Sequence, residues 1–322
     1  MVSCSPTWRS EGVAVATPGE SHVPVLLAPM LERLDVRDGG LYLDLTFGRG
    51  GYSRAILERL GAGRLLVCDQ DPEAIAVAQD LAASDERVEV LQANFGALAG
   101  HPALRDRPLD GVVADLGVSS PQLDAAERGF SFMRDGPLDM RMNPEAGLSA
   151  AEWLAQVPAH ELIRVLQRFG EEPQARRIGL AIVNAREQKP IERTAELAHL
   201  IEKAVGGRRG KRIHPATRTF QAIRMAVNGE LDALQSMLES VHGWLRPGGH
   251  LVVVSFHSLE DRLVKRMLQE GARPQAAHPA LPPPTPTWAE IGRVKCDELE
   301  AQRNPRARSA VLRWGRTWAG GA

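Results

Sequence analysis

The first third of the chain sets short apolar runs between stretches of helical spacing. Residues 41–46 (LYLDLT) form a mostly apolar run of strand length, the pattern of a parallel strand covered on both faces. Gly48, Gly50 and Gly51 follow at once. From 52 to 60 the spacing becomes helical, with Ile56, Leu57 and Leu60 on one face. Apolar runs at 65–68, 88–92 and 109–114 predict three further strands, and the turn Gln70-Asp71-Pro72 leads into a helix over 73–81. The order expected through Asp115 is β-α-β-α-β-α-β, a doubly wound parallel sheet. Residues 245–256 (LRPGGHLVVVSF) predict a turn and a fifth strand, and 310–314 a last strand. Residues 25–34 suit a short amphipathic helix ahead of the sheet, whereas 1–20 have no periodicity and read as a disordered tail.

The alternation stops after Asp115. Residues 117–141 are rich in Gly, Pro, Ser, Arg and Asp, with Phe130, Phe132 and Met133 among them. An irregular loop of this length in a compact domain points to function. Arginines interleaved with aromatics suit a single nucleic-acid strand; a loop packed on itself, its Arg and Asp paired, is the plainer alternative. From 149 to 205 the spacing is helical throughout, opened by a Ser149/Glu152 capping box and continued over 161–169, 174–187 and 194–205. The organisation expected is an all-helical insertion, 124–217, between two parts of a sheet domain, 21–123 and 218–322. Beyond it, 219–238 read as one long helix, Ser258 as a helix cap with Asp261 completing its box, and 279–286 as a proline-rich connector.

Composition narrows the function classes. The 322 residues carry a formal net charge of −1, so any nucleic acid must be met by local patches and not by a global field. The densest basic cluster is Arg208, Arg209, Lys211, Arg212 and Arg218, where phosphate binding competes with a solvated loop. Cys4, Cys68 and Cys296 form no CxxC pair, which argues against a disulfide framework or a zinc site and fits a reducing cytoplasm. No metal site is expected. No apolar run approaches the ~20 residues of a membrane helix.

The candidate chemistry gathers at the strand ends. Asp69 closes the second strand about 20 residues past the glycine turn, where an acid binds ribose hydroxyls. The dinucleotide fingerprint GxGxxG is incomplete, because Ser53 holds the third glycine position. A GxGG turn preceded by Asp44 looks instead like the S-adenosylmethionine turn of Rossmann-type methyltransferases. Phe95, at the third strand's tip, is placed to pack on an adenine face or in the core. Asp115, on the same carboxyl edge, is a site acid or a helix cap.

The stretches HVPVLL, DLTFGRGG, DLGVSSPQLDAAERGFSFMRDGPLDMRM, HPATRTFQAIRMAVN, LRPGGHLVVVSFHSLEDR and NPRARSAVLR resemble the ribosomal small-subunit RNA methyltransferases that act on cytosine N4 in 16S rRNA. The resemblance runs from about Ser21 to the carboxyl end. It implies a Rossmann-type methyltransferase sheet with an inserted helical domain, S-adenosylmethionine as cofactor, and 16S rRNA of the small ribosomal subunit as partner, with neither DNA nor membrane. It implies cofactor contacts at Gly50, Gly51, Tyr52, Asp69, Phe95, Asp115 and Gln122. Tyr52 departs from the family, which usually has histidine there; a backbone contact would be indifferent to the change and a side-chain contact would not.

Methylating an exocyclic amine requires an acceptor for its hydrogens and an in-line arrangement, but no covalent nucleophile. Related amino-methylating enzymes place [DN]PP[YF] after the fourth strand. Here Asp115-Leu116-Gly117-Val118 keeps only the acid. Asp115 is the candidate catalytic group, although the family pattern gives it to the cofactor, and His22, His214 and His257 are alternatives. Two other functions fit the same fold: methyl transfer to a protein or small molecule, and a non-catalytic ribosome assembly factor with a relict cofactor site.

Overall fold

The computed structural model describes residues 24–207, 214–276, 278 and 281–319. In chain order, α1 (Leu27–Leu34), β1 (Leu41–Asp44), α2 (Gly51–Leu60), β2 (Arg64–Asp69), α3 (Pro72–Ser84), β3 (Val88–Gln92) and β4 (Leu109–Asp115) build the first half of a sheet. Six helices follow: α4 (Ser120–Asp124), α5 (Ala150–Gln156), α6 (Ala159–Arg168), α7 (Ala175–Arg186), α8 (Thr194–Ala204) and α9 (Ala216–Val227). Then come α10 (Glu230–Trp244), β5 (Leu245–Ser255), α11 (Ser258–Ala272), β6 (Trp288–Lys295), α12 (Glu298–Arg303) and β7 (Val311–Thr317).

The seven strands lie in the order β3-β2-β1-β4-β5-β7-β6. The first five pair in parallel, and β7 runs antiparallel to both β5 and β6. This is a Rossmann-type α/β sheet. One face is covered by α1, α2 and α3 over Leu34, Ile56, Leu60 and Val67, the other by α10 and α11 over Leu43, Leu66, Val112 and Val253. A third core belongs to the helical block, around Leu154, Leu162, Ile178, Leu197 and Ile201. Among the described residues no helix is long and apolar enough to cross a membrane.

Several elements differ from the sequence reading. No α-helix joins β3 to β4; two 3-10 turns, Phe95–Ala97 and Pro102–Leu104, make the connection, and Gly96 packs directly against the backbone of Ala233 in α10. The long helix expected over 219–238 is two helices, broken at Gly229 with φ of 59°. The left-handed glycine after Asn228 ends the helix locally, and tertiary contacts hold the corner. The Asn228 side chain accepts from Met142 N–H at 2.7 Å and donates to Met140 O at 2.8 Å, tying the corner to the strap before α5. Phe220 and Ile223 of α9 sit in the helical core, so its packing extends past residue 217. Burying each such side chain is worth roughly 1.5–3 kcal/mol.

The cap of α11 is His257, whose Nδ1 accepts from Leu259 N–H at 3.3 Å, and the box partner is Glu260. Asp261 instead binds Arg313 of β7 through two oxygens, at 2.6 and 3.0 Å. Strand β6 had no sequence signal. It is an edge strand of mixed exposure, with Glu290, Arg293 and Lys295 breaking any apolar run. The segment 117–141 is ordered and packed mainly on its neighbours: it contains α4 and a 3-10 turn, Phe130 is buried, Phe132 meets the His214 ring and the edge of Phe220, and Asp135 and Gly136 bind Arg193 and Thr194 at the start of α8. Its arginines Arg128 and Arg141 are paired with acids, and Met133, 81% exposed, is the large apolar side chain left outward.

Candidate active site

The site starts at the end of β1. Past Asp44 the chain leaves the sheet, still held by Leu45 N–H on Val113 O and by Phe47 N–H on Cys68 O. Gly48 and Gly50 then take left-handed conformations, with φ of 54° and 75°, which L side chains rarely adopt. A Cβ on Gly50 would meet the Phe47 ring at 2.7 Å, and one on Gly51 the Pro24 ring at 2.4 Å. Ser53, at the missing third glycine, donates to Asp44 Oδ2 at 2.6 Å beneath the turn, and both residues are fully buried. Burial is the main cause that raises the Asp44 pKa to about 6.

Five strand ends converge here on a cavity of about 750 Å³. Gly51, Tyr52, Asp69, Phe95, Asp115 and Gln122 line it together; Gly50 sits one residue back, at the cap of α2. Asp69 accepts from Gly48 N–H at 2.8 Å and from Asp71 N–H at 2.9 Å. The same acid that faces the cavity therefore holds the glycine turn in place. Burial raises its pKa above the ordinary carboxylate range despite these donors.

Tyr52 is 4% exposed and its hydroxyl donates to Val25 O. Its phenol thus anchors the approach to α1, and a ligand would meet the residue mainly as backbone and ring. Gln122 closes the capping box of α4, and its Nε2 donates to Asp71 Oδ2 at 2.7 Å. Both ends of that amide are committed to the protein. Asp71 also caps α3 and receives Arg128, whose guanidinium reaches the carbonyls of Arg141 and Met142 as well. The floor of the cavity is thereby bolted to the strap leading into the helical block.

Asp115 differs from the other acids. Its backbone N–H is taken by Thr46 Oγ1 at 2.6 Å, but its Oδ1 is buried with no hydrogen-bond partner. Burial first, then the charges of Asp44 and Glu260, push its pKa well above the usual value. Gly117, just beyond, has φ of 102°, and a Cβ there would meet only Phe256, at 3.9 Å. The open space it leaves belongs to the cavity. A buried acceptor without a donor beside open space marks a place for a ligand that brings its own hydrogens.

The opposite wall went unassigned in the sequence reading. Arg224 makes a two-pronged pair with Glu230, both contacts 2.7 Å, across the α9–α10 corner. Glu260 accepts the N–H groups of Phe256 and His257 at 3.1 Å each, and burial raises its pKa to about 6. The stretches that hold these residues were already conspicuous, FQAIRMAVNGE and HSLEDR, but nothing local distinguishes a buried pair from a solvated one. His257 lines the cavity; its Nδ1 accepts a backbone N–H, which leaves the proton of the neutral ring on Nε2, and burial lowers its pKa. His214 stacks on Phe132 within the helical block, away from the cavity. His22, Arg208, Arg209, Lys211 and Arg212 lie outside the described residues. Cys68 is fully buried, its thiol donates to Ala93 O, and its pKa is pushed up to about 12. It is no nucleophile.

The model of the MraW methylase family matches residues 19–317. The chain belongs to that family. A ribosomal RNA small subunit methyltransferase H from Xanthomonas axonopodis pv. citri is 51% identical over 298 residues, covering 91% of this chain and 86% of that one. The protein of the same name from Xylella fastidiosa strain M12 is 53% identical over 302 residues, 91% of this chain and 96% of that one. A SAM-dependent O-methyltransferase structure from Thermotoga maritima overlaps 97% of this chain and 70% of its own at 9% identity and a TM-score of 0.42, too loosely to bear on the site. Within this family member the cavity carries the glycine turn and the partnerless buried Oδ1 of Asp115.

Proposed function

We propose that the protein transfers a methyl group from S-adenosylmethionine to the exocyclic N4 of a cytidine in 16S rRNA of the small ribosomal subunit. The observation that carries this reading is the buried, partnerless Oδ1 of Asp115 at the edge of the cavity that also holds the glycine turn and Asp69. Relatives about half identical over nine-tenths of the chain carry the small-subunit RNA name, which supports the substrate. The cavity's size suits a nucleoside cofactor with room for a base.

The residues fit the cofactor. Asp69 would take the ribose hydroxyls, Phe95 the adenine face, and Gly50, Gly51 and Tyr52 the backbone side of the turn, with Gln122 closing the floor. Bound S-adenosylmethionine supplies an electrophilic methyl on a sulfonium. The chain's task is to present the amine in line and to accept its hydrogen. Asp115 Oδ1 has no protein hydrogen-bond partner and as a carboxylate would accept that hydrogen. The proton that the amine gives up on methylation would go to this carboxylate. His257 offers a neutral N–H to the base on the far side. The inert, buried Cys68 supports amine chemistry over attack at ring carbon, which needs a thiolate. We further propose that the helical block serves the RNA and not the cofactor.

The test is mass spectrometry of 16S rRNA from cells with and without the protein, together with transfer of tritiated methyl to isolated small subunits. N4-methylcytidine should vanish with the gene, and label should enter RNA. Label in protein, or none, would favour the two other functions. Asp115→Asn should lower the transfer rate by about 10²–10⁴, the usual range for a proton acceptor.

A further inference from the structure

A second cavity, about 370 Å³, adjoins the first. The two share Phe256, His257 and Ser309, so they are neighbouring compartments along one sheet edge. The second lies where β5 ends, β7 begins and β6 ends. Its walls carry three cations, Arg293, Lys295 and Arg313, and the hydroxyls of Ser258 and Ser309. The function proposed above makes no use of it.

The register brings the cations together. Arg293 of β6 stands directly opposite Arg313 of β7, and Lys295 opposite Val311, on the face that carries α11. Like charges facing across a ladder repel unless something neutralises one of them. Asp261 neutralises Arg313, which is 11% exposed at the side chain, through two hydrogen bonds. Among the described residues Arg293 and Lys295 have no acid partner, and both are exposed. Other carboxylates of the neighbourhood are engaged: Glu290 with Arg316, Glu300 with Leu26 N–H, Asp297 as the cap of α12. Two cations without an acid partner among the described residues, and the Ser309 hydroxyl, surround a pocket in which Asp261 neutralises Arg313 and Glu171 accepts from the Ser258 hydroxyl at 3.3 Å; that set suits one anionic group with several acceptor oxygens.

We propose that this pocket holds a backbone phosphate of the RNA next to the target nucleotide. The inference rests on the RNA substrate proposed above and adds where the strand leaves the active site. A base turned into the first cavity has its flanking phosphates close by, and the second compartment adjoins the first through Phe256, His257 and Ser309. The RNA surface then includes the carboxyl-terminal β-hairpin of the sheet domain as well as the helical block.

The test is binding of the full-length protein to isolated small subunits across a salt series, for wild type, Arg293→Ala/Lys295→Ala and the charge-preserving Arg293→Lys/Lys295→Arg. Two lost contacts to a single strand should flatten the slope of log affinity against log salt by about 1.4. The charge-preserving variant should keep the wild-type slope, and S-adenosylmethionine affinity should stay within about twofold in all three, since the glycine turn is remote. An unchanged slope in the double alanine variant overturns the proposal. If that variant also self-associates, the two cations guard an edge strand instead. Wild type that binds and methylates the subunit while the slopes match leaves the enzyme reading intact and removes only this one. Wild type that neither binds nor methylates removes both.

Discussion

The sheet domain and the helical block reach the active site by different means. The sheet offers backbone: the N–H groups of a turn fixed by Gly48 and Gly50, and acids carried on strand ends whose positions the ladder sets. The block offers long side chains that cross to the sheet, Arg128 to Asp71 and Glu73, Arg224 to Glu230, and Asn228 back to the strap. A site built from backbone tolerates side-chain change except beneath the turn. A site docked through a few buried charges depends on each of them. Damage on the block's side should therefore uncouple the two regions, whereas damage on the sheet's side should act on the cofactor directly.

The strongest way to break the comparison is Arg128→Met. Asp71, 4% exposed, would be left without its cation. Stripping one partner from a buried pair costs about 3–5 kcal/mol, and urea unfolding should show a loss of that size. Hydrogen exchange should speed up first in the strap around Met140 and Met142. A loss below 1 kcal/mol would mean that the block is docked by apolar packing alone.

On the sheet's side, Asp44 sharpens the contrast through pH. Its pKa is 3.8 ordinarily and about 6 when folded. The folded state thus binds the proton more tightly, so this group's contribution to stability is present at low pH and is lost as pH rises from about 4 to about 6. The span is worth about 3 kcal/mol. Asp44→Asn should flatten the stability profile in that window by up to this amount, read from urea midpoints at several pH values. Glu260 carries a similar shift, so a residual slope should persist in the variant.

Asp69→Ala comes next. Losing hydrogen bonds to a charged acceptor costs about 1.5–3 kcal/mol, so S-adenosylmethionine should bind roughly ten- to a hundredfold more weakly by calorimetry. Because Asp69 also holds Gly48 N–H, Asp69→Asn should recover part of the turn but not the affinity. Unchanged affinity would remove Asp69 from the cofactor. The smallest effect is expected at the corner. Asn228→Ala frees Met140 O and Met142 N–H and should cost about 1–2 kcal/mol, with cofactor affinity unchanged. A cofactor effect as large as that of Asp69→Ala would erase the distinction between the two regions.

Particular residues show what could be read in advance. The glycine turn, Asp69 and Asp115 were legible because a turn between a buried strand and a helix leaves a local pattern, and the ends of parallel strands share one edge once the order is known. Ser149 and Glu152 were legible as a capping box because their hydrogen bonds span three residues. Reading 219–238 as one helix passed over the Asn228-Gly229 pair, whose left-handed glycine ends α9 and whose asparagine is held by the strap. The cap of α11 was misplaced by one residue because a histidine ring nitrogen took the place of a hydroxyl.

By itself, then, the sequence determined the elements that leave a local pattern: the βα turn, the apolar runs of the first five strands, the capping box of α5, and through its motifs the family. Only the tertiary structure decided the rest. Arg128 and Asp71 are 57 residues apart, and Arg313 and Asp261 are 52 apart; no periodicity reports whether such charges meet in a dry interior or point to water. Strand β6 exists because β7 offers it a ladder, not because its own residues demand one. The partnerless oxygen of Asp115 is likewise a property of packing, since it takes the surrounding elements to exclude water and withhold every donor.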